Sequence, residues 1–242
     1  MSQSTFAPST PEAVAHLDAS LIKGFGEGLN GRLLFLIAVV FSSFQVFTAI
    51  YGILPSQVVR AFHVGFLLLL LFPLFATLSR SRVRMAIGWV LGLAAFAVAI
   101  YQYVFYEDLL LRAGAPTEID LLVGSISLIL LFLGTLTAMG PALPIISGVF
   151  LAYCFLGQYL PPPFVHRGYD FEQVIEHMAF GTEGIYGIPT LVSSTYIFLF
   201  ILFGSFLERA GMVQLFTDVA LGLVGRWRGG PAQVAVMSSA MM

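Results

Sequence analysis

Catalysis needs side chains that titrate, coordinate or attack, and this chain offers few. It holds four histidines and one cysteine. Cys154 has no partner for an internal disulfide and sits in an apolar run, where it reads as an inert packing residue. The histidines are scattered, and no His/Cys group has the spacing of a metal site. An intramembrane hydrolase needs a nucleophile and a base at matched depth. Ser42, Ser43, Ser125, Ser127 and Ser147 lie in or near apolar runs. His166 and His177 fall in a polar outer segment, and His63 lies early in an apolar run beside Arg60. There it reads as an interfacial residue with its polar tip among headgroups. No Ser–His pair is therefore expected, and the chain reads as no enzyme. Gln45 and Gln102 read as bonds between helices. Ser193, Ser194 and Thr195 read as hydroxyl caps of a helix start.

The elements that would carry these residues are set by where charge is missing. Of 242 residues only 10 % are charged, against about 25 % in a soluble domain, while 58 % are hydrophobic and the mean hydropathy is +0.92. This excludes disorder, which needs low hydrophobicity and high charge. A net charge of -2 gives no electrostatic footprint for nucleic acid. Residues 33–59, 61–79, 85–106, 121–166 and 184–207 contain no Asp, Glu, Lys or Arg. A helix crossing hydrocarbon needs about 20 apolar residues, and proline at Met139-Gly140-Pro141 divides the longest run. Six spans are predicted, near 33–53, 61–79, 85–105, 121–139, 142–160 and 191–208. Membrane strands would be short and alternating, whereas Leu67 to Leu71 are five consecutive leucines. The fold class is an all-α integral membrane protein. The first 30 residues lack the apolar segment of a signal peptide.

Basic residues at helix ends orient the spans. With Arg80, Arg82 and Arg84 in the cytoplasm, both ends of the chain are cytoplasmic, together with Lys23, Arg32, Arg209, Arg226 and Arg228. Arg60, Arg112 and Arg167 then lie outside. So do eight of the thirteen acids, among them Glu107, Asp108, Glu118 and Asp120. Residues 12–29 suggest a surface helix weakened by Gly24, Gly26 and Gly28. In 170–183 the acids share one helical face, while Phe171, Val174, Ile175 and Met178 cover another. Residues 212–224 read as an interfacial amphipathic helix, with Val213, Phe216, Ala220 and Leu223 on one face; a partial seventh span is the alternative.

Intramembrane ionisable groups mark function by default, and the predicted spans have almost none. Interrupted apolar helices are the stronger pointer, because transporters bind solutes and ions where broken helices bare their backbone. Two breaks stand out. Gly184, Gly187 and Pro189 precede the sixth span. Gly229, Gly230 and Pro231 precede a small apolar stretch containing Ser238 and Ser239. On spacing alone each is equally a loop.

The ordered pattern Gly184-Ile-Tyr-Gly187-Ile-Pro189, Phe198-Leu-Phe-Ile-Leu-Phe-Gly204, Leu207-Glu208, Gly211, Leu223-Val-Gly225-Arg226 and Gly229-Gly230-Pro231-Ala232 resembles the fused membrane subunits of TRAP transporters (tripartite ATP-independent periplasmic transporters). Arg60-Ala-Phe-His63 and Arg112-Ala-Gly114-Ala-Pro116 with Asp120 are similar to the fused type, so the likeness spans about residues 33–242. It implies a cytoplasmic lead (1–30), a four-helix small-subunit-like domain (31–139) and the start of the large DctM-like permease subunit (140–242). Such permeases reside in the bacterial inner membrane. They are sodium-coupled symporters that import an organic acid delivered by a periplasmic binding protein, here of the TAXI class. The large subunit moves as an elevator. Residues 212–224 would be an arm helix, and residues from Pro231 on the start of a re-entrant hairpin. Ser238 and Ser239 match the lead-in to its tip, as low-ranking substrate or ion contacts. Thr137-Ala-Met-Gly140 departs from the basic residues usual there. The family continues beyond Met242 with the helices that carry the sites, so this chain reads as mainly scaffold and as a fragment. No cofactor is implied beyond sodium as coupling ion. A non-catalytic membrane assembly protein is the second reading and an intramembrane enzyme the third.

Overall fold

The computed structural model describes residues 28–77, 81–225 and 229–241. Among these the structure is helical, without strands. The helices are α1 (Gly28–Tyr51), α2 (Ser56–Thr77), α3 (Arg82–Val104), α4 (Tyr106–Leu111), α5 (Glu118–Met139), α6 (Ala142–Leu156), α7 (Phe171–Ala179), α8 (Ile188–Val192), α9 (Phe198–Arg209), α10 (Met212–Val224) and α11 (Gly230–Met241). A 3₁₀ turn extends α6 to Tyr159, and a π-helical stretch, Ser193–Ile197, joins α8 to α9. Six helices are long and apolar enough to cross a membrane, the sixth running Ile188–Arg209. Six spans were expected, and the integral-membrane reading holds. Residues 1–27, with Lys23 and all but the last two residues of the possible helix over 12–29, lie outside the described residues, as do Arg80, Arg226 and Arg228; residues 28–30, expected in the lead, belong to α1.

The helix ends differ from the charge-free runs, for local reasons. The second span starts at Ser56 rather than 61, because Arg60 is carried inside the helix. The fourth starts at Glu118 rather than 121. Thr117 caps it, accepting from the Asp120 backbone N–H while the Asp120 carboxylate accepts from that of Thr117. Here the capping box uses an acid in the first turn, so absence of charge marks this helix three residues late.

The chain forms two compact units, one through Ser194 and one from Thr195. In the first, α2 is central: 50 % of its apolar window is buried, against 6 % for α6. α3 lies close along it through Gly88, Gly92, Ala95 and Ala99, all buried. Small residues let helix backbones approach where lipid offers no hydrophobic drive. A Cβ added at Gly88 would lie 2.8 Å from the Phe72 carbonyl oxygen. Leu68, Phe72, Ala95 and Leu130 form an apolar cluster among α2, α3 and α5. Phe41, Phe44, Phe62, Phe66 and Phe96 pack their rings between α1, α2 and α3, at centroid spacings of 4.8 to 6.0 Å.

Helix α7 has the expected two faces, with a correction. Val174, Ile175 and Ala179 are buried on α5, whereas Phe171 is 53 % exposed and belongs to the open side. The second unit packs α11 on α10 through Ala220, Val224, Val234 and Met237. Leu223, expected on the covered face, is 60 % exposed. The buried row follows 220 and 224, the i, i+4 spacing that the partner helix selects.

Candidate functional site

Two interruptions were expected, and each is a helix start. At the first, the turn after α7 passes through Gly184, whose Cβ would lie 2.6 Å from the His177 carbonyl oxygen, so a side chain has no room. Ile185 N–H donates to Met178 O (2.8 Å), and Gly187 N–H to Gly184 O (3.1 Å). Gly187 is the N-cap of α8, and Pro189 stands in its first turn, where a missing N–H costs nothing. Gly184, Gly187 and Pro189 therefore lie together in one turn. Ser193, Ser194 and Thr195 do not cap this helix. They lie five and more residues inside it, in the π-helical stretch, an irregularity frequent at functional sites.

The second interruption belongs to the other unit. α10 ends at Val224, and α11 begins at Gly230 after Gly229 at φ +82. Pro231 follows in its first turn. α11 runs Gly230–Met241. Ser238 is buried, its Oγ 3.1 Å from Thr217 Oγ1 on α10, and Ser239 is exposed. The two serines therefore do different things: one bonds the helix pair and the other faces outward.

His63 departs most from expectation. It is 2 % exposed, so its polar tip lies inside the helix packing. Its Nε2 is 3.1 Å from Ser193 Oγ, and its Nδ1 is 3.1 Å from Gln45 Nε2. The structure thus creates a Ser–His pair that the sequence did not suggest. The hydrogen-bond pattern determines its chemistry. The same Gln45 nitrogen also contacts Ser194 O, and an atom facing a carbonyl oxygen must be a donor. Gln45 therefore donates to both, and His63 Nδ1 accepts. The ring proton then sits on Nε2, which donates to Ser193. A general base needs Nε2 free to take the serine proton. With the proton there, the pair is a hydrogen bond between α2 and the π-helical stretch.

Arg60 joins the same region. It is buried, its Nη1 donates to Tyr186 O (2.5 Å), and its Nη2 donates to Ser56 Oγ (2.9 Å). The Tyr186 ring packs among Ala61 and Ala99, and burial pushes its phenol up from the ordinary value. Gln102 donates to Ala179 O (3.2 Å) and Gln57 to Phe180 O (2.5 Å). The expectation that Gln45 and Gln102 bond between helices holds. The signal for His63 was its place three residues after Arg60, on one helical face. Its partner is 130 residues away, beyond any local pattern.

A second polar group lies at the start of α5. Asp120 is fully buried. It accepts from Tyr101 Oη (2.5 Å), Thr117 N (2.9 Å) and Thr117 Oγ1 (2.7 Å), and pairs with Arg112 Nε at 3.3 Å. Among the other acids, Glu176 accepts from Gly114 N–H and so ties α7 to the turn after α4. Glu107, Asp108, Glu118, Asp170, Glu172 and Glu183 are exposed. No group of three His, Cys, Asp or Glu able to hold a metal occurs among the described residues.

Residues 125–242 match the family model described as "Tripartite ATP-independent periplasmic transporter, DctM component". Comparison with curated proteins and with solved structures gives no match. The matched region holds both helix interruptions and begins inside α5, so α1 to α4 lie before it.

Proposed function

We propose that this chain is part of the membrane permease of a TRAP-type secondary transporter, and contributes mainly scaffold. The carrying observation is that the DctM match over 125–242 coincides with two interrupted apolar helices, the device by which transporters place backbone groups at membrane depth. In this reading α1 to α5 are a fused small-subunit-like block (31–139) and residues 140–242 begin the large subunit. α10 is its arm helix, α11 the first arm of a re-entrant hairpin, and Ser238 and Ser239 precede its tip. Sodium is the coupling ion. The solute is an organic acid brought by a periplasmic binding protein of the TAXI class. The chain sits in the bacterial inner membrane with its N-terminus inside, by the distribution of Arg and Lys.

The exposed acids of 170–183 supply the contact for the binding protein, as a solvated negative surface that steers a basic partner. Because Glu176 is engaged with Gly114, Glu172 and Glu183 are the residues to reverse.

The test is reconstitution of the transporter containing this chain, with its binding protein. Uptake of a carboxylate that follows the sodium gradient and requires the binding protein is expected; uptake indifferent to either overturns the reading. E172K with E183K lowers uptake at limiting binding protein. A reporter fused after Arg84 is expected on the cytoplasmic side.

A further inference from the structure

Five polar side chains of α1, α2 and α3 reach the segment 179–194, and all five donate. Gln102 bonds Ala179 O (3.2 Å), Gln57 bonds Phe180 O (2.5 Å), Arg60 bonds Tyr186 O (2.5 Å), His63 bonds Ser193 Oγ (3.1 Å), and Gln45 bonds Ser194 O. Four of the five acceptors are main-chain carbonyls. Ala179 and Phe180 stand at the C-terminal end of α7, where helix carbonyls lack intrahelical partners. Tyr186 lies in the turn, and Ser194 in the π-helical stretch. Irregular backbone at membrane depth is tolerated only where protein or a cavity satisfies it.

We infer that α1, α2 and α3 form a docking surface for irregular backbone: a row of donors that receives the carbonyls of 179–194 and so holds the interrupted start of the sixth span. The donors all precede the family match and the acceptors all lie within it, so this seam joins the two blocks of the proposed permease. Recognition through carbonyls reads the path of the chain more than its side chains. The same surface also takes the Tyr186 ring of that turn between Ala61 and Ala99. The surface is one-sided in polarity, since glutamine, arginine and a histidine protonated at Nε2 all present N–H. The inference uses the block boundary at 139/140 from the proposed function, but nothing about solute or ion.

The experiment places a protease site in the turn at Gly140-Pro141 of the full chain, cleaves it in the membrane and recovers one block by an affinity tag in mild detergent. The other block is expected to be retained. Q45M, Q102M and H63L each remove one donor and leave four, so the chain still folds. Each is expected to lower retention about threefold, and the three together roughly twentyfold, from typical interhelical hydrogen bonds. Q102N, which keeps a carboxamide donor, is expected to recover part of the loss. Retention unchanged in the triple variant, or separation of the cut wild-type blocks, overturns the inference. Retention needs neither sodium nor solute. A transporter that fails in uptake but keeps its seam therefore counts against the proposed function alone.

Discussion

Asp120→Ala is expected to be the most damaging single substitution in the first unit. The carboxylate has no exposed surface and gathers three hydrogen bonds and one ion pair, from Tyr101, Thr117 and Arg112. Removing one partner of a buried pair costs about 3–5 kcal/mol, because the other is left uncompensated. Arg112 keeps 30 % of its side chain exposed and can turn toward water, which places the loss near the low end, about 3 kcal/mol. Arg112→Ala removes the charge partner but leaves three donors on Asp120, and costs about 1 kcal/mol. Asp120→Asn lies between, since a carboxamide has one accepting oxygen where the carboxylate uses two. The assay is reversible unfolding of the purified full chain in mixed micelles of rising denaturing-detergent fraction, followed by helical circular dichroism. A double-mutant cycle with Arg112 isolates the pair. A loss under about 1 kcal/mol for Asp120→Ala, or equal losses for Asp120→Ala and Arg112→Ala, would refute the reasoning that burial and hydrogen bonding outweigh the ion pair.

Three further outcomes follow from the packing. Gly88→Leu forces a side chain against the Phe72 carbonyl and Ala76 Cβ, at 2.8 and 2.9 Å from its Cβ, and should cost about 1–3 kcal/mol or more; Leu93→Ala, on the exposed side of the same helix, should be near neutral in the same assay. Tyr186 is buried with its phenol held above the ordinary value, so the unfolded chain ionises first and stability falls as pH rises past about 10. Tyr186→Phe should remove that share of the alkaline loss, and an unchanged alkaline limb would count against burial of the hydroxyl. Thr217→Val should lower the stability of the α10–α11 pair by about 0.6 kcal/mol, read by hydrogen exchange of the α11 amides.

How far the site could be read beforehand depended on the range of each signal. The breaks at Gly184–Pro189 and Gly229–Pro231 were legible because glycine and proline act on their own backbone. Both are helix starts in the structure. Gln45 and Gln102 were legible as bonding residues because an amide in hydrocarbon must find a partner. The same rule applied to His63 would have placed it inside. Its nearness to Arg60 suggested an interface instead, and Arg60 itself turned out to be buried on Tyr186 O. Ser193 and Ser194 looked like caps because they stand at the start of the span predicted near 191–208. The helix starts earlier, at Ile188, since Gly187 and Pro189 set its first turn.

By itself the sequence determined the class of the molecule and its local punctuation. Apolar run length is a one-dimensional quantity measured against bilayer thickness, so six spans, their turns and the amphipathic α7 needed no tertiary knowledge. The tertiary structure alone decided which polar groups meet. His63 and Ser193 stand 130 residues apart, and Arg60 and Tyr186 stand 126 apart. Such pairs are chosen by helix packing, through small residues such as Gly88 and Gly92 that decide which faces touch. Only when α1, α2 and α3 are assembled do five separate donors become one surface. Only then does His63 meet Ser193.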